Sequence, residues 1–566
     1  MPGAFDRAQS LRRLETETFD VVVIGAGITG AGVALDAASR GLRTALVERD
    51  DFASGTSSKS SKLVHGGLRY LQQGEVRLVY EALAERQRLR HNAPHLVHLL
   101  PFLIPVFSKD GVIPKPLARA LGSAMWTYDL TGGARIGKLH KRISADEAHA
   151  HMPTLPRDRL AASYLYYDAE ADDARLTLTV ARTAAMHFGA AVANGCGVVG
   201  IDKDERGQAN AVRVRADGRE ITVRTGAVVN AAGVWSDDVR ALDEGTHPHS
   251  IRPAKGIHLT VPWRLVRNDI AVVVPVPKDK RSMFVVRWGD LAYIGTTDTD
   301  YDGPMDDPEV TPDDVAYVLD ALRFSCTSNI GPDDVTGSWA GLRPLVRDAS
   351  SDRTADLSRR HKVSRSASGV ISITGGKLTT YRRMAADTVD AVVDDLGAAL
   401  PTGVARRSRT KKLRLHGAEG YDDVRSGADR LSSTLDGAAV QHLLGRYGTD
   451  TRTLLAMVER EPALGEVLVP GLPYRKVEAV FAARYEMARS VDDVLSRRTR
   501  ARLLGRDDSI RAAESVAALI AEDLGLDADA RRAQVEQYQT AVDAERTTAG
   551  LPPTTLDALL AASTGA

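Results

Sequence analysis

The first residues able to do chemistry are three glycines and an acid. Gly25-Ala26-Gly27-Ile28-Thr29-Gly30 has the spacing of a phosphate-cradling turn, and Glu48 follows it by 18 residues. Gly25 permits a tight turn, Gly27 lets the main chain approach a pyrophosphate, and Gly30 lets a helix pack closely on a strand. Ile28 opens that helix, whose unpaired N–H groups and partial positive charge suit an anion. Glu48 suits ribose hydroxyls and repels a 2′-phosphate. Phe19-Asp20-Val21-Val22-Val23-Ile24 predicts a fully buried parallel strand before the glycines. The alanine-rich stretch to Ser39-Arg40-Gly41 predicts a helix, and Thr44-Ala45-Leu46-Val47 a second buried strand ending at Glu48. Together they form a βαβ unit, the proper setting for a dinucleotide fingerprint.

Which dinucleotide is decided further along. Ala227-Val228-Val229-Asn230-Ala231-Ala232-Gly233-Val234-Trp235 reads as a strand ending in a turn of small residues. It resembles the second dinucleotide contact of two-dinucleotide-binding flavoproteins, which would place Ala232, Gly233 and Trp235 against FAD. After the second strand, Asp51-Phe52-Ala53-Ser54-Gly55-Thr56-Ser57-Ser58 supplies small and hydroxyl side chains, with Thr56, Ser57 and Ser58 able to border a long cofactor. FAD is expected in preference to NAD.

Ser60-Ser61-Lys62-Leu63-Val64-His65-Gly66-Gly67-Leu68-Arg69-Tyr70-Leu71 is similar to a signature of the FAD-dependent (aerobic, respiratory) glycerol-3-phosphate dehydrogenases. Four further stretches resemble that family: Ile24-Gly25 through Asp36 to Arg40-Gly41, Asp172-Asp173-Ala174-Arg175-Leu176, Gly341-Leu342-Arg343-Pro344-Leu345, and Gly375-Gly376-Lys377-Leu378-Thr379-Thr380-Tyr381-Arg382. Ala26 stands where the family often has glycine, a departure the turn tolerates. The resemblance implies oxidation of sn-glycerol 3-phosphate to dihydroxyacetone phosphate, with electrons passed to a quinone. It implies cofactor contacts at Ser61, Leu63, His65, Gly66, Gly67, Gly341, Gly376, Lys377, Leu378 and Thr379. It implies substrate contacts at Arg69, Tyr70, His258, Arg343 and Lys377, with Arg359 matched less well.

That chemistry needs a hydride acceptor, a base for the hydroxyl proton, and a cationic site for a phosphate dianion. His258, in Lys255-Gly256-Ile257-His258-Leu259-Thr260, is the expected base, since an imidazole near its reference pKa of ~6.5 accepts a proton at neutral pH. His65 competes for that role. Arg343 either binds phosphate or stabilises the developing alkoxide. Lys377, after two glycines, reaches substrate or the flavin's pyrimidine side. Asp172 and Asp173 read as helix caps or first-turn acids rather than catalysts. A glycerophosphate oxidase using oxygen, and a non-catalytic membrane-docking flavin sensor, are the alternatives.

The 566 residues carry 74 basic and 74 acidic side chains, 43% hydrophobic and 26% charged residues. This composition is that of a soluble globular protein with several domains, and zero net charge argues against non-specific nucleic-acid binding. Cys196 and Cys326 provide neither a disulfide framework nor a metal site. The expected class is α/β: a discontinuous Rossmann-like FAD domain of the two-dinucleotide-binding-domain type, with an antiparallel-sheet substrate domain and an all-α C-terminal domain. FAD parts are placed at about 19–95, 160–240 and 325–400, and substrate parts at about 96–159 and 241–324. A basic linker at 401–412, helices over 413–546 and a poorly ordered tail at 547–566 complete the chain. The eight acids between Thr296 and Asp314 read as a solvated loop rather than a metal site. No signal peptide or spanning segment is visible. Leu96 to Phe107 is apolar, and Val97 to Arg142 holds seven basic residues against two acids. That combination suits either a buried interdomain connection or docking on anionic lipid; the family resemblance implies the second, since its members pass electrons to quinone, so the expected place is the cytoplasmic face of the cell membrane. Expected partners are glycerol 3-phosphate, a quinone and the membrane surface, with a homodimer left open.

Overall fold

Three sheets organise the described residues of the chain. The computed structural model describes residues 4–67, 76–108, 138–277, 281–346, 361–428 and 431–561. A six-stranded sheet runs in the order Lys362–Arg365, Ile371–Thr374, Val228–Asn230, Val21–Ile24, Thr44–Val47, Ala191–Ala193, with only its first pair antiparallel. Its central strands are fully buried, as a parallel sheet requires. Helices Ile28–Arg40, Asp173–Phe188 and Tyr381–Leu396 contribute to the same core. Arg40 links the first and last of these, its guanidinium 2.6 Å from both Asp36 and Asp390.

A four-stranded sheet joins Thr18–Phe19, Arg219–Thr225, Ala209–Ala216 and Cys196–Lys203. A ten-stranded sheet carries the substrate side. Its longest strand, Ile251–Pro262, pairs antiparallel with Gly337–Val346, His258 opposite Trp339, Gly256 opposite Gly341 and Ala254 opposite Arg343. Because side chains alternate along a strand, these six residues share one face. Gly256 and Gly341 face each other in a slot between the His258–Trp339 pair and Arg343, and neighbours fill it closely: a Cβ on Gly256 would lie 2.4 Å from Thr296 Oγ1, and one on Gly341 2.7 Å from the Lys59 carbonyl. The C-terminal helices, among them Gly437–Tyr447, Thr451–Arg460, Lys476–Glu486, Arg506–Leu524 and Ala528–Thr548, form further cores; one of them takes in Leu291 of the ten-stranded sheet.

The structure corrects several boundaries. Strands Leu160–Glu170 and Gly337–Val346, assigned from sequence to the FAD part, belong to the ten-stranded sheet. A buried apolar run does not reveal which sheet will receive it. Leu96 to Phe107 is not a lipid-facing segment: it forms strand His98–Phe107, paired with Leu160–Glu170, and Phe102, Leu103, Ile104, Val106 and Phe107 are buried. The 401–412 stretch is strapped to helix Ile28–Arg40, with Ala405 N–H donating to Arg40 O and Thr410 Oγ1 to Asp36. The tail is packed as far as the described residues go: Leu556 is fully buried and Thr554 N–H donates to Asp507. Helix Lys476–Glu486 ends where Met487 adopts a left-handed φ of 55°. Both cysteines are buried and free.

Candidate active site

The glycine turn forms as its spacing predicts. Gly25 has φ +97°, and a Cβ there would lie 2.9 Å from Ala231 O; a Cβ on Gly30 would lie 1.8 Å from Gly25 O. The helix begins without a side-chain cap at Gly27, and its first N–H, from Ile28, donates to Ser57 Oγ at 2.9 Å. Glu48 accepts from Ala26 N–H at 2.7 Å and from Asp50 N–H at 3.0 Å, bracing the turn from the end of the second strand. Burial pushes its carboxyl up to about 7.

A cleft of ≈ 430 Å³ runs from this turn to the ten-stranded sheet. Gly25, Gly27, Ile28, Glu48, Thr56 and Ser57 line one end, with Ala232, Gly233 and Trp235 beside them. Ser61, Leu63, His65, His258, Gly341, Arg343, Gly376, Lys377, Leu378 and Thr379 line the rest. Gly30 does not line it; its place is behind the turn, in packing. Ser58, Gly66 and Gly67 do not line it either. The Ser58 carbonyl faces Lys62 and Arg500, and Gly66 N–H donates to Asp168. Arg69, Tyr70 and Arg359 lie outside the described residues.

At the sheet end, His258 Nε2 lies 2.9 Å from Ser61 Oγ, and its ring stacks on Trp339 with centroids 4.7 Å apart and planes 9° apart. Its Nδ1 is buried without a hydrogen-bond partner among the described residues. Burial, then the Lys62 and Arg343 cations, hold this imidazole well below its ordinary pKa, so it is neutral. Arg343 donates to Asp298 at 3.2 Å and to Thr296 Oγ1 and Thr297 O at 3.1 Å each, which fixes its fork at the slot beside Gly256. A Cβ on Gly256 would lie 2.6 Å from that fork, so the glycine makes room for it. Lys377 follows two glycines at φ +75° and +82° and precedes the short helix Leu378–Thr380; its Nζ is buried. Thr379 Oγ1 accepts from His65 N–H at 3.1 Å, tying the two glycine-containing signatures together.

Sequence reasoning missed Lys62, Trp339, Thr296 and Asp298. Trp339 was legible in the alternation Trp339, Gly341, Arg343, once that stretch is a strand. Asp298 carried no signal, because its partner Arg343 is 45 residues away. The acidic loop is not merely solvated: Asp298 holds Arg343, Asp306 bonds Trp235 Nε1 at 2.8 Å and Arg49 at 2.7 Å, and Asp314 pairs with Lys255 at 2.6 Å. Asp172 caps its helix by accepting from Arg175 N–H, as expected. Asp173 does more, gathering Ser60, Lys62 and Arg500.

Residues 20–382 match the family described as FAD dependent oxidoreductase, and residues 408–531 match the C-terminal domain of alpha-glycerophosphate oxidase. The chain is 40% identical over 547 residues to glycerol-3-phosphate dehydrogenase 2 of Mycobacterium tuberculosis, covering 96% of this chain and 91% of that protein. The chain belongs to the FAD-dependent glycerol-3-phosphate dehydrogenase family. Another relative, the mitochondrial glycerol-3-phosphate dehydrogenase of Homo sapiens, is 36% identical over 549 residues, covering 94% of this chain and 74% of that one. The solved glycerol-3-phosphate dehydrogenase of Bacillus halodurans complexed with FAD superposes with a TM-score of 0.76 at 29% identity, covering 97% and 98% of the two chains. The residues present fit the FAD of this glycerol-3-phosphate dehydrogenase family. Gly25 and Gly27 line the cleft without side chains, Glu48 lies beside them at the end of the second strand, and the same cleft takes in Lys377 and His258.

Proposed function

We propose that the chain oxidises sn-glycerol 3-phosphate to dihydroxyacetone phosphate and passes the electrons to a membrane quinone. The observation that carries this reading is a neutral, buried His258 on the same sheet face as Arg343, in a cleft continuous with the dinucleotide turn. When bound, FAD supplies the hydride acceptor. Gly25, Gly27 and Ile28 hold its pyrophosphate, and Glu48 its ribose. His258 takes the proton of the secondary hydroxyl, through the Ser61 hydroxyl to which it is bonded. Arg343 steadies the negative charge that develops on that oxygen, and Lys377 and the Arg343 fork attract the phosphate dianion. The sheet face, with Trp339 against His258, keeps water from the base.

The deciding experiment is anaerobic addition of glycerol 3-phosphate to the purified flavoprotein. Bleaching of the flavin absorbance is expected; an unbleached flavin overturns the activity and favours a sensor. Under air, quinone reduction is expected to outrun peroxide release, and the reverse order identifies an oxidase. Among the described residues no helix is long and apolar enough to cross a membrane. Attachment would rest on the basic stretch before residue 142, of which Lys138, Lys141 and Arg142 are exposed together with Leu139, 46% exposed. Sedimentation with anionic liposomes at low salt is expected, and its absence removes the membrane from the proposal.

A further inference from the structure

Two cations with left-handed backbones meet behind the proposed base. Lys62 has φ +55° and Arg500 φ +88°, unusual for residues other than glycine. Both side chains are almost fully buried. Lys62 Nζ donates to Ser58 O at 3.2 Å and to the two oxygens of Asp173 at 3.2 and 3.4 Å. Arg500 donates to the same Ser58 carbonyl, and to Asp173 Oδ1 at 3.2 Å. Lys62 Nζ then lies 4.6 Å from the centre of the Trp339 ring, which stacks on His258. Ser60, between Ser58 and Lys62, donates to Asp173 through both N–H and Oγ. The loop that presents Ser61 to His258 is therefore held on each side by Asp173.

Arg500 belongs to the C-terminal helical unit, which also docks directly on the two strands carrying the site. Thr260, two residues from His258, donates from Oγ1 to Leu503 O at 2.8 Å. Arg506 N–H donates to Thr336 O at 2.8 Å, and Gly337 approaches so closely that a Cβ would lie 2.1 Å from Leu503 O.

We propose that Arg500 is a positioning residue for His258: through Asp173 and the Ser58 carbonyl it holds Lys62 against Trp339 and Ser61 against the imidazole. The C-terminal unit is thus a part of the active site rather than an appendage. The inference rests on reading His258 as the base. The groups facing His258 are Ser61, Lys62, Trp339, Tyr293 and Arg343, with Glu170 and Asp173 acting on Tyr293. Burial first, and then the Arg500 charge, bring the Lys62 ammonium down to about 8, while Asp173 and Asp172 oppose them.

The test is a double-mutant cycle on the FAD-loaded full chain with Arg500→Met, Lys62→Met and the pair. Anaerobic flavin reduction by glycerol 3-phosphate is followed against pH and substrate concentration. Each single variant is expected to slow reduction about 10–100-fold with FAD content and substrate half-saturation kept within about twofold, because misplacement of the reacting groups costs rate rather than binding. The pair is expected to be no slower than the worse single variant. A limb near pH 8 is expected in the wild type and absent from both Lys62 variants. Wild-type rates in Arg500→Met, or fully additive losses, overturn the inference. If Arg500→Met fails to fold, Arg500→Lys, which keeps the charge but not the fork, is read in its place. The visible circular dichroism of the bound flavin, recorded without substrate, is expected to change alike in both single variants. That readout stands even if the wild type is not bleached, in which case the proposed activity falls and the dichroism alone decides whether Arg500 positions this side of the cleft.

Discussion

His258 and Trp339 face each other across an antiparallel pair, their rings 4.7 Å apart and nearly parallel. The register produces this contact, since directly opposite residues point to the same face of a sheet. It fixes the imidazole plane, and together with the Ser61 hydroxyl it leaves the ring little freedom. A base so enclosed is neutral before substrate arrives and needs no deprotonation step.

Replacing His258 with Ala is expected to slow flavin reduction about 10²–10⁴-fold, the usual worth of a positioned base. FAD content, read from absorbance, should stay at the wild-type level, because the dinucleotide turn is built from other elements. The pH dependence has a sign. The folded pKa lies below the unfolded value, so protonation opposes the fold, and any stability contributed by this group is lost as pH falls below about 6.5. A wild-type rate profile with a limb near 6.5 would contradict the neutral, buried state of His258.

Gly295 offers an independent probe. It lies opposite His258 on the neighbouring strand Leu291–Gly295, and a Cβ there would lie 2.3 Å from His258 Cδ2 and 2.7 Å from Ile257 O. Gly295→Ala is expected to push the imidazole off Trp339 and lower the reduction rate about 10²-fold. Normal kinetics in this variant would show that the ring position is unimportant.

The glycine turn, the buried strands and the signature stretches were legible because their information is local: spacing, β-branched runs and short motifs. The pairing of His258 with Trp339 was not, since it depends on a strand register between segments 81 residues apart. The same limit explains why the Leu96 to Phe107 run reads as a lipid surface from sequence. Apolarity gives burial, but the identity of the covering strands, Leu160–Glu170 and Ala271–Pro275, is not in the run itself. Arg69, Tyr70 and Arg359 rest on motif resemblance alone.

Glu48 is expected to make FAD binding pH-dependent. Its carboxyl is raised from about 4.5 to about 7, chiefly by burial, while the N–H groups of Asp50 and Ala26 oppose the shift. The ionised form accepts more hydrogen bonds from ribose hydroxyls, so FAD affinity is expected to weaken as pH falls through 7. Apoprotein stability moves the other way: the raised pKa means that this group's contribution is lost as pH rises from about 4.5 to 7. Titrating apoprotein with FAD at pH 6 and 8 checks the first statement. Glu48→Gln should flatten the dependence.

The attachment of the C-terminal unit to the FAD unit is testable at Asp51, which receives Arg498 at 2.7 and 2.9 Å and Arg497 at 2.6 Å in a buried setting. Against the upward push of burial, Arg498 and then Arg497 hold this carboxyl at about 2. Removing one partner of a buried ion pair leaves an uncompensated charge and typically costs about 3–5 kcal/mol. Arg498→Met is therefore expected to destabilise the chain by nearly that much, moderated by the remaining Arg497 contact. Arg213, a half-buried surface residue paired with Asp202 and Glu220, is the control, and its replacement by Met should leave the urea midpoint nearly unchanged. Because the Asp51 pKa is depressed, the wild-type advantage is full above about pH 4 and fades as pH falls toward 2. Urea unfolding of both variants at pH 7 and at about pH 2.5, inside that window, measures it. Equal midpoints for Arg498→Met and wild type at pH 7 would mean that this buried network does not hold the two units together.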